Sequence, residues 1–228
     1  MPELPFAVSL ELPGWTLLWA RLALAAGCAG AGGGEGPAAA VAEMRRQAAA
    51  RARSRFSLER LPEDATVAAV RALFRASGCD PTRYRPSSEA LLRRVLKGEE
   101  LPAIHPFVDL NNCLSVALAV PACVAAEGSF TPPVVLRAGR PGESYESLRG
   151  PFNLEGKPLL ADGEGAFGTP ITDSQRVKVA GDTRRAWMVA YLPAGAVTAE
   201  AAEKVLQDLL AAAPVARMEA AGASGGGR

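Results

Sequence analysis

The apolar pattern of this chain changes near Gly98, and that change constrains its fold more than any other feature. Before Gly98, apolar residues recur at the spacing typical of amphipathic helices. After it, short apolar runs are separated by Gly and Pro, as in short strands joined by turns. Helical segments followed by a strand-rich half predict a mixed α/β (α+β) fold in one compact domain. With 228 residues and 49% hydrophobic content, the chain can form one core and is not wholly disordered.

The helices are predicted from composition, apolar spacing and end signals such as Pro in the first turn and Gly after the last. A short buried strand, Phe107–Leu110, is expected to lead into another helix that runs through Val120. The main helices are predicted at 38–55, after Leu61 to Gly78, after Pro86 to Gly98 and from Thr198 to Pro214. Strands are predicted at 134–137, 143–148, 159–160, 176–179 and 185–191.

The segments outside the main domain are predicted from turn and glycine signals. Two partly alternating runs flank Pro13-Gly14, so residues 1–26 are expected to form a β-hairpin packed on the domain. Residues 27–37 are rich in Gly and are interpreted as a flexible loop, without the Gly-Lys-Ser/Thr ending of a phosphate-binding loop. Residues 38–213 are assigned to the main domain and 214–228 to a disordered tail.

Charge is balanced over the whole chain but not along it. Lys and Arg number 25 against 24 Asp and Glu, which excludes a uniformly polybasic nucleic-acid binder. Residues 45–97, however, hold thirteen Lys or Arg and five Asp or Glu. This stretch either faces phosphates or simply solvates helix surfaces. Under the first interpretation the RNA-binding candidates are Arg85, Arg93, Arg94 and Lys97.

The cysteines and the single histidine give no sign of a metal or a cofactor. The four cysteines form no CxxC pair, which favours reduced thiols in a cytoplasmic protein. His105, Cys113 and Cys123 lack any recognised zinc-ligand spacing, and His105 is interpreted as a loop histidine rather than part of a nucleophilic site. The apolar stretch 17–34 is interrupted by Arg21 and has no basic start, so neither membrane attachment nor export is predicted.

The segment Gly165–Ser174 concentrates glycines, hydroxyl groups and one carboxylate within ten residues. Glycines permit close approach of the backbone, and the Thr, Ser and Asp side chains supply hydrogen-bonding oxygens. Such a loop can hold an amino acid or a ribose hydroxyl. It can equally be an ordinary turn between strands, with Asp and Ser serving as caps.

Several motifs resemble one family. They are Pro86–Gly98 with Leu101-Pro102, Phe107-Val-Asp-Leu-Asn-Asn112, Val135–Glu143, Leu159-Leu-Ala-Asp162 and the loop Gly165–Ser174. Together they resemble the B3/B4 domain of the β subunit of bacterial phenylalanyl-tRNA synthetase and its stand-alone relatives, over residues 65–195. The resemblance implies a single mixed α/β domain with stacked β-sheets and flanking helices, and an isolated domain rather than a complete synthetase.

In the synthetase, this domain hydrolyses tyrosine wrongly attached to the phenylalanine tRNA. The resemblance therefore implies binding of tRNA or aminoacyl-tRNA, not DNA, and ester hydrolysis in trans, with no cofactor. It places the aminoacyl pocket between residues 108–112 and the glycine loop. The implied substrate-binding residues are Asp109, Asn111, Asn112, Gly165, Gly168, Thr169, Thr172 and Ser174, with Thr172 and Asp173 as the catalytic candidates.

The chain departs from the synthetase at one important position. Where the synthetase carries a histidine, in a Gly-x-Pro-x-His context, this chain reads Leu118–Val124 with Cys123 near that position. An alternative function is therefore a non-catalytic module that binds an amino acid or another small molecule on the same scaffold. The sequence does not indicate an oligomeric state.

Overall fold

A computed structural model describes residues 4–28 and 35–225 of the chain. The helices in these ranges are α1 (Glu35–Arg55), α2 (Ala65–Ala76), α3 (Ser87–Leu96), α4 (Pro106–Leu118) and α5 (Ala199–Ala212), with 3-10 turns at Leu61–Glu63 and Gln175–Val177. The strands are β1 (Val8–Leu10), β2 (Trp15–Leu24), β3 (Ala122–Ala126), β4 (Val134–Ala138), β5 (Ser144–Ser147), β6 (Gly150–Asn153), β7 (Pro158–Asp162), β8 (Gly165–Gly168), β9 (Arg185–Pro193) and β10 (Ala216–Ser224).

The strands of the described residues form two four-stranded sheets and a small hairpin. The first sheet has the order β1-β4-β7-β8, the second has the order β10-β2-β9-β3, and β5 pairs with β6. In the second sheet all neighbours are antiparallel, and β3 is an edge strand. The predicted mixed α+β class with stacked sheets and flanking helices is confirmed.

The second sheet lies between a layer of helices and the first sheet. Because side chains alternate along a strand, each strand of this sheet contributes to two cores. On β3, Ala122 and Val124 pack with the helices, whereas Cys123 and Ala125 pack against the first sheet. The same alternation on β9 places Met188 with the helices, opposite the core between the sheets. Residues on the two faces of this sheet therefore lie in separate cores.

Local signals explain several helix starts. The Asp64 side chain accepts hydrogen bonds from the backbone N–H groups of Thr66 and Val67 and so caps α2. Thr198 caps α5 in the same way, by accepting from the backbone N–H of Ala201. The helices predicted near these positions are present.

The predicted N-terminal hairpin is wrong. Strands β1 and β2 flank the turn at Pro13-Gly14 but do not pair with each other: β1 pairs parallel with β4, and β2 lies between β9 and β10. The alternating residues of β2 face two cores, because the sheet that contains β2 lies between the helices and the first sheet. The predicted disordered tail at 214–228 is also wrong in part, because 216–224 form β10 on the free side of β2.

Two other elements differ from expectation. Phe107–Leu110, predicted as a strand, lies in the first turns of α4, where Phe107 and Leu110 share one buried helix face. Residues 176–179, also predicted as a strand, contribute to a short 3-10 turn instead. Most of the predicted glycine-rich loop at 27–37 lies outside the described residues, and α1 already begins at Glu35.

None of the helices in the part of the chain described here is long and apolar enough to cross a membrane.

Candidate functional site

The loop after β8 is a tight turn organised by one hydroxyl group. Thr169 Oγ1 accepts hydrogen bonds from the backbone N–H groups of Ile171 and Thr172 at 3.2 and 3.0 Å. It also donates to the carbonyl oxygen of Thr172 at 2.7 Å. The hydroxyl group of Thr169 is therefore fully used in shaping the turn. This is the role expected if the segment is an ordinary turn between strands. Thr172 is partly exposed, and no hydrogen bond of its hydroxyl group occurs among the described residues.

Asp173 follows this turn, and its carboxyl group is in the most unusual environment of the site. Its Oδ1 atom is buried and has no hydrogen-bond partner among the described residues. Burial raises the pKa of Asp173 to about 8, although hydrogen bonds from the backbone N–H groups of Val124 and Thr169 act in the opposite direction. A carboxyl group with such a pKa exchanges protons near neutral pH, as a general acid or base must.

Two further titratable groups share this environment. A methyl group built on Gly168 would lie 3.3 Å from Asp173 Oδ1 and 3.8 Å from both Cys123 Sγ and Tyr191 Oη. These three polar groups therefore surround the empty side-chain position of Gly168, and the space is tight. Cys123, which the resemblance placed near the histidine of the synthetase, is thus beside Asp173, with burial raising the pKa of its thiol.

Asn111 and Asp173 approach the same edge of β3. Pro121 and Glu127 hydrogen-bond to β9, so the alternation of an antiparallel pair turns the backbone groups of Ala122 and Val124 to the open edge. The Asn111 side-chain amide donates to the Ala122 carbonyl at 3.2 Å, and the Val124 N–H acts to lower the pKa of the Asp173 carboxyl group against the larger effect of burial. The two predicted segments therefore meet through these two residues, around a strand edge rather than across an open pocket.

The other predicted substrate-binding residues are dispersed. Asp109 lies at the start of α4 and lines a separate cavity with Arg45 and His105. Asn112 is buried in the same helix. Gly165 lies at the opposite end of β8 from the loop, where its carbonyl accepts from Arg176. Ser174 is buried beside the loop, and its hydroxyl has no partner among residues 4–28 and 35–225.

A cluster of three arginines lies against the other side of the loop. Glu89, whose side chain is 1% exposed, pairs with Arg71 at 2.9 Å, Arg93 at 3.0 Å and Arg85 at 3.6 Å. One carboxylate and three guanidinium groups leave this Glu89 cluster with an excess of positive charge. The backbone N–H of Ser87, at the start of the same helix, donates to the Pro170 carbonyl at 2.9 Å. This contact joins the cluster directly to the loop.

The four RNA-binding candidates therefore divide into two groups. Arg85 and Arg93 belong to the Glu89 cluster, near the loop. Arg94 lies next to Arg93 in the last turn of α3 but pairs with Glu99 at 3.0 Å, and Lys97 is the C-cap of the helix, so both are outside the cluster. Sequence reasoning had no means of finding Glu89 as the centre of the cluster, since a helical Glu in the first turn is normally solvated.

Sequence reasoning also missed an aromatic row beside the loop. The rings of Tyr84 and Phe152 lie 6.1 Å apart, as do those of Phe152 and Tyr145. The Tyr145 hydroxyl donates to the Thr172 carbonyl at 2.5 Å, so this row ends at the loop. All three side chains are half-buried. Tyr145 and Phe152 lie side by side because β5 pairs with β6, and a single sequence does not show that pairing.

A cofactor or metal site does not emerge from these residues. Within the described ranges, no three His, Cys, Asp or Glu side chains converge in a way that could hold a metal ion.

Comparison with known protein families matches residues 69–212 to the B3/4 domain, which covers more than half of the chain. The chain belongs to the B3/4 domain family. This match includes α3, α4, the loop at 169–172 and every residue of the Glu89 cluster.

Among solved structures, this B3/4 domain protein is similar to an N-terminal fragment of the phenylalanyl-tRNA synthetase β subunit from Pyrococcus horikoshii. The two are 17% identical with a TM-score of 0.41, and the alignment covers 51% of this chain and 43% of that fragment. The alignment thus spans less than half of the fragment's length. No curated protein matches the chain.

Proposed function

We propose that this B3/4 domain protein binds the aminoacylated end of a tRNA where the loop 169–172 meets the Glu89 cluster, and hydrolyses the aminoacyl ester in trans. The observation that carries the proposal is the hydrogen bond from Ser87 N–H to the Pro170 carbonyl. It holds the loop, where an aminoacyl group would lie, against the helix that bears the arginines.

The Glu89 cluster has the properties of a phosphate-binding surface. Guanidinium groups bind phosphate through pairs of parallel hydrogen bonds, and they remain charged at every physiological pH. Glu89 holds Arg71 and Arg93 in place, while Arg85 is the most distant partner and its side chain is 43% exposed. Arg85 is therefore the arginine best placed to exchange its partner for a phosphate.

The aromatic row offers a second kind of contact with RNA. Proteins bind unpaired bases by stacking them on aromatic rings beside positive charge. Tyr84, Phe152 and Tyr145 form such a row between the loop at 79–86 and Thr172. An unpaired 3′ end that follows the row would bring its terminal ribose to the loop.

In the proposed reaction, Asp173 is the general base. Its carboxylate would accept a proton from a water molecule whose oxygen forms the new bond to the acyl carbon. The bond between that carbon and the ribose oxygen then breaks, and Asp173 returns its proton to the ribose oxygen, which leaves as a hydroxyl. The raised pKa of Asp173 suits it to this exchange, and Thr172, the residue before it, offers a partly exposed hydroxyl for contact with the substrate.

The test separates binding from hydrolysis. We expect the protein to release the amino acid from at least one of a set of mischarged tRNAs, and Asp173→Asn to abolish release while retaining tRNA binding. Thr172→Val, which removes only the hydroxyl, should slow release without changing the fold. Absence of hydrolysis of any mischarged tRNA, together with absence of salt-sensitive tRNA binding, would overturn the proposal.

The arginines provide a matched pair for the binding step. Arg85→Gln should weaken tRNA binding and reduce its salt dependence by about one phosphate contact. Arg94→Gln, at the other end of α3, is the control and should leave both nearly unchanged. A larger effect of Arg94→Gln would mean that RNA follows the far end of α3 and does not reach the loop.

A further inference from the structure

The cavity that Arg45, His105 and Asp109 line has a volume of about 330 Å³ and opens at the N-terminus of α4. Its apolar wall includes Val41, Ile104 and Val215, and its polar side chains are Arg45, His105 and Asp109. Val41 and Val215 belong to the core on the helical side of the second sheet, whereas Phe167, beside the loop, belongs to the core on the other side. The cavity is therefore separate from the proposed tRNA site, and the inference does not depend on that proposal.

His105 lines this cavity and carries an unsatisfied donor. It is the N-cap of α4, and its Nδ1 atom accepts a hydrogen bond from the Phe107 backbone N–H at 3.2 Å. An accepting Nδ1 places the proton of the neutral ring on Nε2. Nε2 is buried, the residue is 9% exposed, and none of the described residues provides a partner for this N–H. A buried donor of this kind is unfavourable unless a ligand or water accepts from it.

Arg45 and Asp109 complete the polar part of the cavity. Arg45 Nε is a second buried donor with no partner in the described part of the chain. One terminal nitrogen of Arg45 lies 3.9 Å from Asp109 Oδ2, which is too long for a hydrogen bond. Asp109 Oδ1 accepts from the Ile104 N–H at 2.9 Å. The cavity therefore offers two unsatisfied donors beside one carboxylate oxygen that has only a distant ion pair.

We propose that this cavity binds a free α-amino acid with a small apolar side chain. The carboxylate of the ligand accepts from Arg45 and His105, and its ammonium group donates to Asp109. The side chain then lies against the apolar wall. The two donors match the carboxylate of an amino acid, and the Asp109 carboxylate matches its ammonium group. The cavity volume is near the lower end of known ligand cavities, which suits a molecule of this size.

Titration calorimetry with three related compounds tests the proposal on the full chain. L-leucine carries both charges, 4-methylpentanoate lacks the ammonium group, and 3-methylbutylamine lacks the carboxylate. We expect leucine, or its smaller homologues valine and alanine, to bind at least tenfold more tightly than the matching compound lacking either charge. Equal binding of leucine and 4-methylpentanoate would overturn the proposal, as would absence of binding by all three amino acids.

A substitution that preserves the helix makes the test specific. Asn is as good an N-cap as any residue, so His105→Asn keeps an acceptor for the Phe107 N–H and removes the Nε2 donor. We expect about a tenfold loss of amino-acid affinity, with a melting temperature of the free protein no lower than that of the wild type. Glu43→Gln, on α1 but outside the cavity lining, is the control and should bind normally. Unchanged affinity in His105→Asn would overturn the proposal, and neither result bears on tRNA binding.

Discussion

Asn111 and Asp173 approach the same open edge of β3: Asn111 donates to the Ala122 carbonyl at 3.2 Å, and the Val124 N–H acts to lower the pKa of Asp173. An exposed strand edge is a template for pairing with other chains, and these two side chains occupy it. They come from a helix and from a loop that are far apart in sequence. The same contacts that protect the edge also bury the carboxyl group on which the proposed hydrolysis depends.

Asp173 should make the protein less stable as the pH rises. Burial raises the pKa of Asp173 to about 8 in the folded protein from an ordinary value of 3.8, so the folded state holds a proton that the unfolded state has lost between these values. The free energy of unfolding should therefore fall with pH in this window, by at most about 1.4 kcal/mol per pH unit from this group. Urea unfolding from pH 5 to pH 8 measures the slope.

Asp173→Asn is the comparison that isolates this group. Asn is neutral at every pH and similar in shape, so the variant should lose the contribution of Asp173 and become the more stable protein near pH 8. The other titrating groups contribute to both proteins alike. Equal slopes for the two proteins would show that the carboxyl group is not held in its protonated form.

Gly168 should not tolerate a side chain. The Cβ atom of Ala would lie 3.3 Å from Asp173 Oδ1, in a buried position with Cys123 and Tyr191 close by. We expect Gly168→Ala to cost about 1–3 kcal/mol, as overpacked cores do, and to abolish hydrolysis. Gly163→Ala is the control, since no atom lies within 4 Å of its Cβ position. Similar melting temperatures for the two variants would contradict the tight packing.

The sequence was sufficient wherever a local signal decides the structure. Thr198 caps α5 at the predicted start, because an N-cap depends only on residues two or three positions away, whereas α2 begins at Ala65, three residues after the predicted first residue Pro62. Strands β4 and β9 were found from apolar runs bounded by turns. These elements need no knowledge of distant residues.

The predictions were wrong where distant residues decide the structure. Phe107–Leu110 is too short for its period to separate a strand from a helix, and the Pro at position 106 with His105 as cap decided for the helix. The turn at Pro13-Gly14 indicated a hairpin, but the strands it joins enter different sheets. Which sheet a strand enters is set by the whole core, not by the turn before it.

The candidate site also has features that the local sequence indicates and features that depend on distant residues. The loop residues were named from their types, yet only the structure shows that Thr169 is used in shaping the turn and that Oδ1 of Asp173 is buried. Arg85 and Arg93 were named from local charge, but Glu89, which organises them, was not among the residues that the sequence singled out. Burial and long-range pairing are properties that the order of residues does not reveal.

Glu89 should be important for stability because three arginines surround it. In Glu89→Gln the guanidinium groups lose their buried counter-charge and repel one another. We expect a loss of about 2 kcal/mol, below the ~3–5 kcal/mol for breaking a fully buried pair, because the arginines are partly exposed. Added salt should reduce the loss by screening the repulsion. Glu99→Gln, which removes an exposed partner of Arg94, should cost at most about 0.5 kcal/mol in the same urea titration.

His105 should make the protein less stable in mild acid. Burial is the larger cause that lowers the pKa of His105, with the charge of Arg184 adding to it, and protonation would also remove the Nδ1 acceptor that caps α4. As the pH falls through about 6.5, the unfolded state therefore takes up a proton that the folded state resists, and stability drops. His105→Asn keeps the cap and should lose this component, whereas His105→Ala should lose about 1 kcal/mol at neutral pH as well. Because His105 is the only histidine in the chain, urea unfolding of the three proteins between pH 5 and pH 7 measures its effect directly. If the wild type and His105→Asn changed in parallel over this range, His105 would not be the acid-sensitive cap of α4.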